Sequence, residues 1–250
     1  MKIDISRTEK ELGAKAARRG ADILRRRAGD KERLCMVIPT GASQFSLFEH
    51  LVREPDMPWG RIDVFHLDEY VGISPDHPAS FRRYLKERFV ARVPSLGSFY
   101  EIIGDAPDIR AEISQLNALI GPRTIDVCFA GIGENGHLAF NDPPADFATT
   151  DPYILVNLDR VCRRQQYKEG WFDSLEDVPT RAISMSIRQI MTSDHLIISV
   201  PDARKAEAVK NALEADVSPH IPASILRRHD QCDLFLDPDS SRLLEQSGNA

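Results

Sequence analysis

Five short apolar runs, at 34–38, 61–67, 127–130, 195–200 and 232–236, are separated by stretches with helical spacing. Runs of that length suit buried strands, and strands that alternate with helices usually form a mostly parallel sheet covered on both faces. This alternation predicts an α/β fold of three layers, a helix–sheet–helix sandwich. A chain of 250 residues with 42% hydrophobic content can bury the core that such a sandwich needs. With no internal repeat and no linker, one domain over 1–250 is expected.

Ser6 and Glu9 read as a capping box opening a helix to about residue 28, with Leu12, Ala16 and Leu24 inward. Further helices are expected after residue 43 (Phe45, Phe48 and Leu51 inward), at 80–92, 108–120 and 203–213, with a short one at 222–228. Additional strands are expected at 99–103, 153–158 and 182–187, whereas 160–169 is polar and mixed and gives no clear element.

The 32 basic and 38 acidic residues leave a net charge of -6 with no long block of either sign, which argues against a nucleic-acid partner. The densest basic group, Arg18, Arg19, Arg25, Arg26 and Arg27, reads as the solvated face of the first helix. Cys35, Cys128, Cys162 and Cys232 are far apart, and three of them sit in apolar runs, as buried free thiols of a reducing compartment do. The start, MKIDISRTEKEL, is too polar for a signal peptide, and no apolar run reaches membrane-spanning length. A soluble, cytoplasmic protein without a membrane partner is expected.

Three strand ends finish in unusual polar sequence: PTGAS (39–43), HLDEY (66–70) and GIGENGH (131–137). In a parallel sheet such ends share one edge and can surround one ligand. Gly131, Gly133 and Gly136 also spell G-x-G-x-x-G, with Asp159 placed like a ribose-binding acid. A dinucleotide site needs a helix directly after the glycines, and Asn141, Asp142, Pro143 and Pro144 forbid one. PTGAS, with small residues and a hydroxyl ahead of a helix, fits a phosphate held on backbone N–H groups, or merely a tight turn. Lys205 can add charge to a bound phosphate, although an ordinary surface lysine is the simpler reading of its spacing. Asp68 and Glu69 are either a general base with its neighbour or a loop cap, the cap being preferred without a partner. His66 lacks metal-ligand spacing and reads as packed in its strand. His137, in a glycine turn five residues before Asp142, has the form of a histidine oriented by a carboxylate for acid–base work, and equally of a structural histidine.

The strings IPTGAS, FHLDEYVGISPDHPASF, IDVCFAGIGENGHLAFNDP and VPDARKAEAV, in this order, resemble the glucosamine-6-phosphate deaminase (isomerase) family, which is related to the 6-phosphogluconolactonases. The resemblance runs from about residue 37 to 236. Tyr70 and Ala139-Phe140-Asn141 favour the deaminase branch over the lactonase branch. It implies a Rossmann-like fold and a phosphosugar substrate, converted to a ketose phosphate and ammonia, with no metal or organic cofactor. Asp68 would be the base that moves a proton between C2 and C1, and His137 would open the sugar ring. Thr40, Gly41, Ala42, Ser43 and Lys205 would hold the phosphate, with Arg164 as a second cation and Glu69 and Gly136 beside the substrate. Two positions depart from the family pattern: Asn135 stands where an aspartate is usual, and Asp142 where a glutamate is usual. Asn135 can orient the imidazole but cannot stabilise its cation as a carboxylate would. A 6-phosphogluconolactonase and a non-catalytic sugar-phosphate sensor are the competing readings. The oligomeric state stays open, a homo-oligomer included.

Overall fold

The computed structural model describes residues 1–244, so the last positions of the 1–250 span lie outside it. In chain order the strands are β1 (Lys2–Ile5), β2 (Leu34–Ile38), β3 (Ile62–His66), β4 (Asp68–Tyr70), β5 (Ser98–Tyr100), β6 (Val127–Ala130), β7 (Tyr153–Asn157), β8 (Arg181–Met185), β9 (Leu196–Val200) and β10 (Cys232–Leu236). The α-helices are α1 (Glu9–Arg27), α2 (Phe45–Leu51), α3 (Phe81–Arg88), α4 (Ile109–Ile120), α5 (Arg160–Lys168), α6 (Ile187–Met191) and α7 (Ala206–Glu214).

Seven strands form one sheet in the order β1-β10-β9-β6-β2-β3-β5. Every neighbouring pair in it is parallel. The pleat sorts its side chains to two cores. Leu34, Met36, Ile62, Val64, Val127, Phe129 and Ile197 pack with α1, α2 and α3 on one face. Cys35, Val37, Phe65, Cys128, Ala130, Ile198 and Leu234 pack with α4, α6 and α7 on the other. Burial on both faces is why these strands read as continuous apolar runs rather than as alternating ones. All four cysteines are buried and free.

Several expectations change. Helix α1 is capped by Thr8, whose Oγ1 accepts from Glu11 N–H at 3.1 Å, and not by Ser6. Ser6 continues the pairing of β1, its N–H donating to the Leu236 carbonyl at 2.8 Å. β1 itself was not foreseen, because an edge strand with exposed Ile3 and Ile5 carries little apolar pattern. The polar stretch at 160–169 is α5, capped by Asp159, which accepts from Cys162 N–H at 2.6 Å.

The strands expected at 153–158 and 182–187 exist but lie outside the main sheet. With β4 they form a second, antiparallel sheet in the order β4-β8-β7. Leu67 joins the two: its N–H donates to Ile38 O at 3.2 Å in the large sheet, and its carbonyl accepts from Met185 N–H at 2.7 Å in the small one.

Candidate active site

After β2 the chain adds β3 and β5 on one side, whereas β6, β9 and β10 build in the opposite direction. The crevice at the carboxyl ends of β2 and β6 is therefore the topological switch point, where open parallel sheets bind ligands. A cavity of about 290 Å³ opens there, lined from all three polar strand ends and from the loop after β9.

One end of the cavity holds proton-transfer groups. Asp68 opens β4 and is only 5% exposed. Burial, with a smaller push from the Glu69 charge, drives its carboxyl up to about 7 against the hydrogen bond from Thr40. That bond runs from Thr40 Oγ1 to Asp68 Oδ1 at 3.2 Å. His66 fixes the strand end from behind. Its Nε2 accepts from Ile102 N–H, so Nδ1 carries the proton and donates to the Asp68 carbonyl, both at 2.9 Å. Burial pushes this imidazole down to about 3, and it is a neutral structural group.

His137 faces the cavity from the glycine turn, with Nδ1 3.1 Å from Asp142 Oδ1. Burial pushes the Asp142 carboxyl up, but the hydrogen bond and charge of His137, with those of Asn135 and Asp159 N–H, outweigh it and hold it below its usual range. An ionised carboxylate only accepts, so Nδ1 donates and Nε2 is left for chemistry. Asn135 is bound at both ends: its Nδ2 donates to the same Asp142 oxygen at 3.0 Å, and its Oδ1 accepts from His137 N–H at 3.1 Å. Gly133 is needed because a Cβ there would lie 2.2 Å from His137 Nε2. The following turn is pinned to β8, with Asn141 Nδ2 donating to Met185 O at 2.8 Å and Phe140 N–H to Ser184 Oγ at 3.0 Å.

The other end carries the 39–43 loop and two cations. Gly41 has φ +99°, a backbone conformation that side chains resist. Lys205 is 6% exposed, not a surface lysine. Burial pulls its ammonium below its usual range, partly offset by the charges of Glu134 and Glu169.

Asp68, His137, Thr40, Gly41, Ala42, Ser43 and Lys205 all line this one cavity. Asn135, Gly136 and Asp142 support it from behind and are not among its lining residues. Besides Gly136, two more expected substrate contacts fall outside. Arg164 lies on the exposed side of α5, because α5 turns Gln165 and Gln166 inward instead. Glu69 is fully buried and consumed by donors, taking bonds from Tyr70 N–H, Ser80 Oγ, Phe81 N–H and Arg82 N–H at 2.9–3.1 Å. It is the structural partner of the pair.

Sequence reasoning missed Gln165, Gln166, Glu169, Arg204 and Glu9, which also line the cavity. Gln166 had a readable signal in Tyr70. Its hydroxyl donates to Gln166 Oε1 at 2.7 Å while its ring packs on Phe140, centroids 5.2 Å apart. The tyrosine of DEY and the phenylalanine of AFN are thus one aromatic cluster beneath the site.

A ring nitrogen of His137, an Asp142 oxygen and Cys162 Sγ lie within 4.8 Å of one another, a donor set of the kind zinc accepts. Burial pushes the Cys162 thiol far up, with the charges of Asp142 and Asp159 adding to it. The sulfur is therefore a neutral neighbour of the His137–Asp142 pair.

A family profile described as glucosamine-6-phosphate isomerases/6-phosphogluconolactonase matches residues 7–235. A glucosamine-6-phosphate deaminase of Exiguobacterium sibiricum is 36% identical over 214 residues, covering 85% of this chain and 82% of the relative. Glucosamine-6-phosphate deaminase 1 of Bacillus subtilis is 30% identical over 248 residues, covering 97% and 99%. Among solved structures, a monomeric glucosamine-6-phosphate deaminase superposes with a TM-score of 0.87 at 29% identity, over 97% of this chain and 100% of that one. A 6-phosphogluconolactonase from Trypanosoma brucei shares the fold, with a TM-score of 0.78 at 15% identity, over 97% and 98%.

Proposed function

The chain belongs to the family of glucosamine-6-phosphate isomerases and 6-phosphogluconolactonases, and from that premise we propose that it is an amino-sugar phosphate deaminase. It converts glucosamine 6-phosphate, or an epimer, to the corresponding ketose phosphate and ammonia. The observation that carries this reading is Asp68: a buried carboxylate poised near neutrality, in the cavity that also holds His137 and a buried lysine. A base of that kind suits proton transfer at carbon, since catalytic efficiency peaks when the group's pKa lies near the working pH.

Lys205 and the 39–43 loop hold the phosphate. His137, kept as the Nδ1–H form by Asp142, exchanges a proton through Nε2 with the ring oxygens and opens the pyranose. Asp68 takes the proton from C2 of the open aldehyde while O1 takes one from the substrate's own ammonium, giving an enolamine, and Asp68 then returns its proton to C1, leaving a C2 iminium. Water adds to that iminium, and ammonia leaves as the ketone forms. No metal or cofactor enters this reading.

Four buried free cysteines are in keeping with a reducing cytoplasm as its location. No described helix is long and apolar enough to cross a membrane. The test is a panel of hexosamine 6-phosphates assayed for ketose phosphate and ammonia, beside a lactone-hydrolysis assay. Ammonia release with solvent deuterium at C1 of the product is expected. Lactone hydrolysis without ammonia release would overturn the reading.

A further inference from the structure

The phosphate end contains more negative charge than a phosphate site should tolerate. Glu9, Glu169 and Asp202 line the cavity with Lys205, and the charge of Glu134, outside the lining, also acts on that lysine. Burial pushes the Glu9 carboxyl above its usual range, with the charges of Asp237 and Asp202 adding to it. A single buried lysine cannot offset several carboxylates and attract a phosphate dianion as well. The family resemblance supplies a second cation through Arg164, which is exposed and off the cavity.

Arg204 is the second cation among the cavity's lining residues. Its side chain is 52% exposed and spans two of the strand-end loops. Its Nε and Nη2 donate to Asp202 Oδ2 at 2.9 and 2.6 Å, which fixes one edge of the guanidinium. Its Nη1 lies 3.5 Å from Glu134 Oε1, too poorly placed for a hydrogen bond. That Glu134 oxygen is itself buried and has no hydrogen-bond partner. Asp202 holds its own unusual backbone, φ +87°, in the left-handed region that non-glycine residues avoid. Its Oδ1 accepts from Arg204 N–H at 2.9 Å, so the strained residue serves as the clamp of this arginine.

We infer that Arg204 is the second phosphate ligand of this enzyme, standing in for Arg164. Its free Nη1 edge lies beside Glu134. When substrate enters, that edge turns to the phosphate while Asp202 keeps the other edge, so phosphate replaces Glu134 as the arginine's second anion. A guanidinium can serve two oxyanions at once because its donors lie on separate edges of a rigid plane, which a lysine cannot reproduce. The inference rests on the deaminase reading for its substrate, but not for the anion it binds.

Two measurements separate the two ideas. Binding of inorganic phosphate, followed by calorimetry without turnover, should weaken about tenfold or more in Arg204→Ala, the usual scale for a charge-assisted bond. Arg204→Lys should restore only part of it, and Arg164→Ala should bind as the native protein does. Adding Glu134→Gln to Arg204→Ala should recover part of the lost binding, because it removes the carboxylate left facing the anion. In turnover assays the Arg204→Ala loss should fall on KM, with kcat within about threefold and the melting temperature unchanged. Native phosphate binding in Arg204→Ala, or a loss in Arg164→Ala instead, overturns the inference. Arg204-dependent phosphate binding without ammonia release from any hexosamine phosphate would overturn the deaminase reading and leave the inference standing.

Discussion

The two ends of the cavity are built on opposite plans. At the proton end the reacting groups are held by bonds made in folding: Thr40 with Asp68, His66 with the Asp68 carbonyl, and His137 and Asn135 with Asp142, all at 2.9–3.2 Å. Substrate finds these groups oriented and has little to rearrange. At the phosphate end half-exposed Arg204 lies beside carboxylates of the protein itself, and the charges of Glu134 and Glu169 act on buried Lys205. There the ligand must displace a resident partner. A preorganised end lowers the barrier of the chemical step, whereas an end with exchangeable partners sets affinity. Damage at the first should appear in kcat, and damage at the second in KM.

The largest effect that could break this contrast is at Asp68. Asp68→Asn should lower kcat by about 10²-fold or more with little change in KM, as loss of a general base does. The same substitution should also stabilise the fold. Burial raises the Asp68 carboxyl from 3.8 to about 7, so its contribution is fully present below pH 4 and is lost as pH rises through 7. The variant's advantage in melting temperature should therefore grow between pH 4 and 7 and stay level above. A KM effect, or a variant less stable at pH 8, would contradict this account.

Next in size is Asn135→Asp. Asn135 donates to the Asp142 oxygen that also serves His137, so a carboxylate at 135 would face another at hydrogen-bonding distance. We expect kcat to fall about tenfold, since like charges at that range cannot both ionise freely. An increase in kcat would mean that Asp142 is a poor substitute for the glutamate usual in the family. Lys205→Ala should raise KM about tenfold with kcat nearly unchanged, in line with losing one charge-assisted contact. A fall in kcat alone would erase the distinction between the two ends. The smallest effect is Thr40→Val. It removes the hydrogen bond that favours the ionised Asp68, so the base form appears at higher pH. The acid limb of kcat/KM should move upward from about 7, and a downward move would mean that Thr40 does not act through Asp68.

Much of this was legible in one dimension, for reasons that also mark where it stopped. The parallel strands were readable because both faces are buried, which makes each strand an unbroken apolar run. β7 and β8 were readable as strands but not as a second sheet, since periodicity carries no information about partners. Asp68 and Glu69 were inseparable in sequence. Only the fold reveals that one meets the cavity while four donors enclose the other. Lys205 was underrated because a helix start looks solvated in sequence, whereas here it lies at the bottom of a crevice. Arg164 and Gln165 are neighbours on a polar helix, and the helix's rotation, which decides which of them faces inward, depends on packing that no local pattern encodes.

Leu67, the residue before the base, splits its backbone between the sheets, its N–H serving the large one and its carbonyl the small one. The small sheet therefore cannot melt as an independent unit: opening β8 releases the carbonyl beside Asp68 and disturbs the large sheet's edge at the site. In hydrogen exchange, the Leu67 and Met185 amides should belong to the same slow, globally protected class, while the amides of the 39–43 loop exchange through smaller openings. Under mild denaturant, affinity for phosphate should fade before the proton-transfer machinery comes apart. The last function the molecule loses would be the one seated on this shared residue.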